Sequence, residues 1–324
     1  MKKGYIQARG AAMESTVEHD SYFIDSATKP KRLHVMEWRP SGTARGIIQL
    51  SHGMAEHVGR YDSFAREMAH DGYILIGHDH IGHGRSAAAG GLGHMPASGG
   101  WQEASMDLQR IALHAKDRFP ELPLLLFGHS MGSFLARTCL IDAPDLWQAC
   151  ILSGTAWNPA FALAAGQTLI RLEMMLRGEH ARSELLNKII FGSYNKKFKP
   201  NRTRHDWLSV DEGNVDRYMA DPYCGFIPSV GFFSSLIATG IPYIQNQKHL
   251  AKMNKTMPVY FFSGADDPVG QYGKGVERTF QAFLDAGMRN VTMKLYPDVR
   301  HEAIQEWNRK EIREDLRLWL SSNL

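Results

Sequence analysis

An apolar run at 122–127 leads straight into Gly128, His129, Ser130, Met131 and Gly132, and a helical pattern at 133–141 leaves it. A strand, a sharp turn and a helix, with a serine at the apex, restrict what this chain can become more than any other stretch. A G-x-S-x-G turn of this kind holds the serine in a strained backbone conformation that lifts its hydroxyl above a sheet. Its two glycines let strand and helix approach closely. With 30 glycines among 324 residues the pattern alone arises easily by chance, so the flanking strand and helix give it its meaning.

The rest of the chain supplies the sheet that such a turn needs. Short apolar or β-branched runs at 22–25, 33–38, 46–50, 73–77, 122–127 and 149–152 alternate with helical patterns at 61–70, 101–119 and 133–141. This alternation predicts an α/β fold, a mostly parallel sheet with helices on both faces. It stops near Trp157 and resumes with a strand at 258–262, a helix at 275–286, a strand at 291–296 and a final helix at 304–320. The expected organisation is a discontinuous core, 1–156 and 253–324, interrupted by a helical insertion at 157–252.

Charge and cysteine usage narrow the partners. The 37 Lys and Arg against 34 Asp and Glu leave a net charge of +3, too mild and dispersed for a nucleic-acid binder, so small molecules are the expected partners. No run of 18 apolar residues occurs, and the basic N-terminal stretch lacks the apolar core of a signal peptide. A cytoplasmic location is therefore expected. Cys139, Cys150 and Cys224 are odd in number and widely spaced, which reads as free thiols rather than a disulfide framework or zinc cluster.

A serine hydroxyl attacks only when a base removes its proton and a third group orients that base. In this fold the chain order is Ser, then Asp or Glu, then His, with all three beyond the carboxyl ends of the strands. PVYFFSGADDPV (258–269) is a strand ending in two aspartates, and MKLYPDVRHE (293–302) is a strand running into His301. Ser130, Asp267 and His301 fit the order. Asp267 is favoured over Asp266 because it stands three residues beyond Gly264, where Asp266 more naturally caps the turn. An oxyanion needs two backbone N–H donors, one after the nucleophile and one after an earlier strand. Met131 and Met54, the latter following Ser51, His52 and Gly53, are the candidates.

SHGMAEHVGRY (51–61), GHDHIGHGRS (77–86), GHSMG (128–132), DPYCGF (221–226), SGADDPVG (263–270) and YPDVRHE (296–302) stand in the order found in the α/β-hydrolase superfamily. Within it the chain resembles the monoacylglycerol lipase and lysophospholipase group, which shares its scaffold with serine aminopeptidases. The resemblance implies an eight-stranded sheet, a helical cap after the sixth strand, and cofactor-free hydrolysis of an acyl ester or lipid. It also supports Ser130, Asp267 and His301 as a triad and Met54 and Met131 as oxyanion donors. Where the group's lipases carry HGAGEH this chain has HGMAEH, which changes the shape of the acyl pocket without removing the backbone donor. The rivals are an aminopeptidase or amidase, whose substrate amine needs an acidic anchor in the cap, and a hydrolase-fold protein that binds a ligand without chemistry.

Other features have competing readings. His52, Gly53, His129, Phe226, Ile227 and Phe232 are candidates for substrate contact, although the Phe226–Phe233 aromatics serve equally as the insertion's own small core. His78, Asp79, His80 and His83 resemble an H-x-H-x-D-H metal motif. Gly82 stands where the second carboxylate belongs, so no metal is expected, and Asp79, Arg85 and Ser86 read as braces of the site wall. The apolar stretch at 159–176 either covers the serine or makes transient contact with a membrane surface. Lys196, Lys197, Lys199, Arg202 and Arg204 read as a solvated loop.

Overall fold

The computed structural model describes residues 17–87 and 91–324; the N-terminal stretch read above for targeting signals lies largely outside them. Eight strands form one sheet: β1 (Glu18–Asp25), β2 (Arg32–Arg39), β3 (Gly46–Ser51), β4 (Tyr73–His78), β5 (Leu124–His129), β6 (Ala149–Ser153), β7 (Val259–Gly264) and β8 (Val291–Tyr296). Their spatial order is β1-β2-β4-β3-β5-β6-β7-β8. β2 runs antiparallel to both its neighbours, and all other pairings are parallel. This is the mostly parallel sheet, covered by helices on both faces, that the alternation predicts, with the eight strands that the resemblance implies.

Five helices cover it: α1 (Asp62–His70), α2 (Gly100–Arg118), α3 (Met131–Asp142) and, later in the chain, two more. Between β6 and β7 lie α4 (Ala160–Arg177), α5 (Glu184–Phe191), α6 (Glu212–Ala220), α7 (Val230–Phe233), α8 (Ile241–Ile244) and α9 (Gln247–Leu250). After β7 come α10 (Lys274–Asp285) and α11 (Arg309–Asn323). The central strands are wholly buried, and their side chains alternate between two apolar layers. Ile47, Leu126, Leu152 and Phe261 face the layer under α2, α3 and α10. Ile48, Phe127, Ile151 and Phe262 face the layer under α1 and α11.

The segment between β6 and β7 divides its loyalty. Ile170, Leu186, Val230 and Phe233 form a small core of their own. Phe232, Leu236, Ile241, Ile244 and Leu250 instead join the principal core beside Trp101 and Leu135. Its second half is thus anchored on the sheet's helices, and residues of α4 and α5 line one cavity with Ser130 at the end of β5.

Candidate active site

β5 delivers Ser130 into the backbone conformation that the pentapeptide predicts, with φ 52° and ψ −121°. A side chain there costs about 1–3 kcal/mol of strain, and the surroundings enforce it. The Ser130 N–H donates to the Ser153 carbonyl at 2.9 Å, tying the turn to β6. A Cβ on Gly128 would sit 2.6 Å from the Gly132 carbonyl oxygen. One on Gly132 would collide with the Ser51 carbonyl and lie 2.5 Å from that of His52. Both glycines are required by close backbone approach, and the contact at Gly132 brings the start of α3 against the end of β3.

β7 and β8 end beside each other, with Gly264 paired to Tyr296, so the loops that follow them meet. His301 Nδ1–H donates to Asp267 Oδ2 at 2.9 Å. Asp267 also accepts from Ser263 Oγ at 3.2 Å and from the Val269 N–H at 2.8 Å, which fixes the carboxylate. Asp266 turns outward to Lys197 Nζ at 2.5 Å. Both Asp267 and His301 are buried. Burial alone would lower the His301 pKa, but the charge and hydrogen bond of Asp267, with Glu302 and Glu56 behind it, raise it above the ordinary histidine value. His129, packed 4.7 Å from the His301 ring, goes the other way. Burial and the neighbouring imidazole push it down to about 4, so it stays neutral at pH 7.

A charged group that motif reading passed over stands behind these residues. Glu56 accepts from the Gly53 N–H at 2.5 Å and from Tyr61 Oη at 2.8 Å, holding the turn that carries Met54. Arg60 bonds both Glu56 and Glu302, and Asn214 of α6 donates to Glu302 at 2.6 Å. Burial would raise the Glu56 pKa, yet Arg60, aided by His129 and His52, brings it down to about 2. Trp207 places its ring 5.2 Å from that of His301. Glu56, Arg60 and Glu302 all lie within SHGMAEHVGRY and YPDVRHE, so the signal was present; Trp207 has none in the sequence.

A cavity of about 870 Å³ takes in Ser130, His301, Met54 and Met131. Among the described residues neither the Met54 nor the Met131 backbone N–H has a protein acceptor. Gly53, His129, Phe226 and Ile227 also line it, with apolar walls from Leu163, Leu169, Ile190 and Ile237. Two expected contacts fall elsewhere. His52 lies behind the wall, its Nδ1–H donating to the Gly53 carbonyl and its Nε2 accepting from the His80 N–H, so it shapes the loop from beneath. Phe232 is wholly buried in the principal core.

In the metal-like stretch the acid and the residues around it are joined by hydrogen bonds. Asp79 accepts from the Val58 and Arg85 N–H groups and from His34 Nδ1, while Ser86 Oγ accepts from the His34 N–H. His78, His80 and His83 are buried, and burial lowers the pKa of each. In the basic loop, Lys197 is paired with Asp266 and Arg202 with Asp216, while Arg204 borders the cavity.

Residues 42–308 match the family described as serine aminopeptidase, S33. The chain belongs to that family. Among its relatives is the monoacylglycerol lipase of Mycolicibacterium smegmatis, 28% identical over 292 residues, covering 89% of this chain and 92% of the relative. The monoglyceride lipase of Rattus norvegicus is 29% identical over 185 residues, 57% of this chain and 54% of the relative. In fold, the chain is similar to a thermostable carboxyl esterase from Bacillus coagulans, with TM-score 0.85 and 24% identity over 95% of this chain and 99% of the other. It is also similar to a soluble variant of monoglyceride lipase from Saccharomyces cerevisiae, with TM-score 0.75 and 17% identity over 98% and 99%. This S33 member is an α/β-hydrolase of the monoglyceride lipase group.

Proposed function

We propose that this carboxylic ester hydrolase cleaves monoacylglycerols or lysophospholipids through an acyl-enzyme on Ser130. The observation that carries the reading is the buried His301–Asp267 hydrogen bond at the edge of the large apolar cavity that also contains Ser130. In this mechanism His301 takes the Ser130 proton, and the freed oxygen attacks the ester carbonyl. The Met54 and Met131 N–H groups receive the developing oxyanion, each worth about 3 kcal/mol in the transition state. Asp267 holds the imidazole in its Nδ1–H tautomer and stabilises its charged form. His301 then protonates the departing alcohol and activates the water that releases the acid.

The helical segment 157–252 acts in this reading as a cap whose inner face receives the acyl chain. Away from the cavity, Phe161, Met175 and Leu176 are more than three-quarters exposed and Leu185 about half exposed. This pattern supports transient contact of α4 and α5 with a lipid surface. Among the described residues no helix is long and apolar enough to cross a membrane. The buried thiols of Cys139 and Cys150 suit a reducing, cytoplasmic setting.

The aminopeptidase alternative needs a carboxylate that can meet an α-amine. None of Glu173, Glu179, Glu184, Asp206, Asp211, Glu212, Asp216 and Asp221 lines the cavity. The two acids that do, Glu56 and Glu302, are both engaged by Arg60. Turnover of a p-nitrophenyl ester against an aminoacyl anilide, with fluorophosphonate labelling of Ser130, tests the proposal. Faster anilide cleavage, or no labelling, overturns it.

A further inference from the structure

A second cluster of ligating side chains lies away from the cavity, where the loop before α2 meets the turn after α4. His94 comes from the loop; Glu179 and His180 come from the turn. One ligand atom from each lies within 4.8 Å of the other two. The two imidazoles are stacked 4.1 Å apart, and His180 Nε2 stands 3.7 Å from Glu179 Oε1. Two atoms bound to one zinc ion at about 2.0–2.2 Å in tetrahedral geometry are about 3.4 Å apart. The Glu179–His180 spacing is close to that of a chelate, and the other two pairs reach it when exposed His180 turns its ring out of the stack toward His94 Nε2.

Two of the three groups are already held by their other atoms, as metal ligands are. His94 Nδ1 is 3.1 Å from Ser229 Oγ, leaving Nε2 for a ligand. Glu179 Oε2 accepts from the Ala97 N–H at 3.0 Å, leaving Oε1. The backbone beneath is fixed as well: the Ser229 N–H donates to the Gly93 carbonyl and the Gly231 N–H to the Glu179 carbonyl, both at 2.8 Å. Of the nearby cations, Lys31 is paired with Glu103, and Arg182 donates to the Ile227 carbonyl.

We propose that His94, Glu179 and His180 bind a divalent transition-metal ion of the zinc class, with a fourth position open to water. Such an ion joins the loop before α2 to the start of the α5–α7 region, and so restrains the segment that roofs the cavity. The other group with ligand spacing among the described residues, His57, Asp221 and Cys224, is less suited. His57 Nδ1 accepts from the Gly59 N–H while its Nε2 donates to Asp221, so both nitrogens are committed.

Zinc chloride titrated into the full chain, followed by calorimetry and thermal unfolding, tests this. The expected result is one saturable site, with Tm raised by about 4 °C at zinc 100-fold above Kd. His94→Ala and His180→Ala should each weaken binding at least tenfold, Ser229→Ala should weaken it less, and Cys224→Ala should leave it unchanged. Cobalt should give the intense visible bands of a tetrahedral site in the wild type and not in His94→Ala. No saturable binding, equal affinity in a His94→Ala/His180→Ala double variant, or loss of the site in Cys224→Ala overturns the proposal.

Discussion

Arg60 grips Glu302 with both ends of its guanidinium, Nη1 2.5 Å from Oε1 and Nη2 2.8 Å from Oε2. The same Nη1 donates to Glu56 at 2.7 Å. One cation therefore joins the loop bearing Met54 to the residue after His301, with all three side chains buried. Lysine cannot reproduce this planar fork. Arg60→Lys should lower unfolding stability by about 2–4 kcal/mol, because it leaves buried carboxylates partly unpaired. Ester kcat/KM should fall by at least about tenfold, since both flanking loops lose their tie. Urea unfolding and ester kinetics measure the two effects.

The same pairing sets an acid limit. Glu56 has its pKa depressed to about 2, so its contribution to stability is fully present above its ordinary value near 4.5. It is lost as pH falls from there toward 2. Acid unfolding of wild type and Glu56→Gln should differ above pH 4.5 and converge toward pH 2.

His301 gives the opposite sign. Its pKa is raised, so the charged His301–Asp267 pair adds stability below the ordinary histidine value and loses it as pH rises through the raised one. Catalysis needs the neutral ring. The acid limb of kcat/KM should therefore show an apparent pKa above 6.5. Asp267→Asn should move that limb downward, because burial then dominates, and should reduce kcat by about 10⁴. An unmoved limb would separate the titrating group from His301.

Strain at Ser130 separates activity from stability. Ser130→Ala should reduce kcat by about 10⁴–10⁶ while unfolding stability stays within about 1 kcal/mol. Ser130→Gly should be equally inactive but more stable by about 1 kcal/mol, because glycine accepts φ 52° without a Cβ clash. Chemical denaturation of the pair distinguishes them.

Gly166 sits inside α4 on the cavity wall, where a Cβ would meet Ile237 at an ordinary 3.4 Å. Gly166→Leu should fill that part of the cavity. Long-chain ester kcat/KM should drop about tenfold with short-chain turnover within twofold, while a better helix former adds up to about 1 kcal/mol to α4. A chain-length series measures it.

The sheet was legible because apolar strands and helical patterns alternate in runs long enough to tell apart, and because a strained turn needs glycines at fixed places. Boundaries were less so. α11 begins at Arg309 rather than 304, since residues 303–305 form a tight turn and the Glu306 carboxylate takes the Val210 and Arg300 N–H groups. Partners across the fold were not readable by pattern at all. The approach of Trp207 to His301 depends on where a helical segment folds back, and the bridge from Arg60 to Glu302 on how two loops distant in sequence meet; neither periodicity nor spacing encodes that. His52 failed as a contact for a related reason: adjacency in sequence to Gly53 does not say which side of the loop a ring occupies.

Gly132 carries a consequence for how such an enzyme can diverge. Its bare α-carbon is seated against the carbonyls of Ser51 and His52, so the strand end leading to Met54 and the turn carrying Met131 meet across an atom that is missing. The walls contributed by α4 and α5 decide which molecules the cavity admits. A single added methyl at Gly132 would displace the proposed oxyanion donors whichever of those molecules was bound.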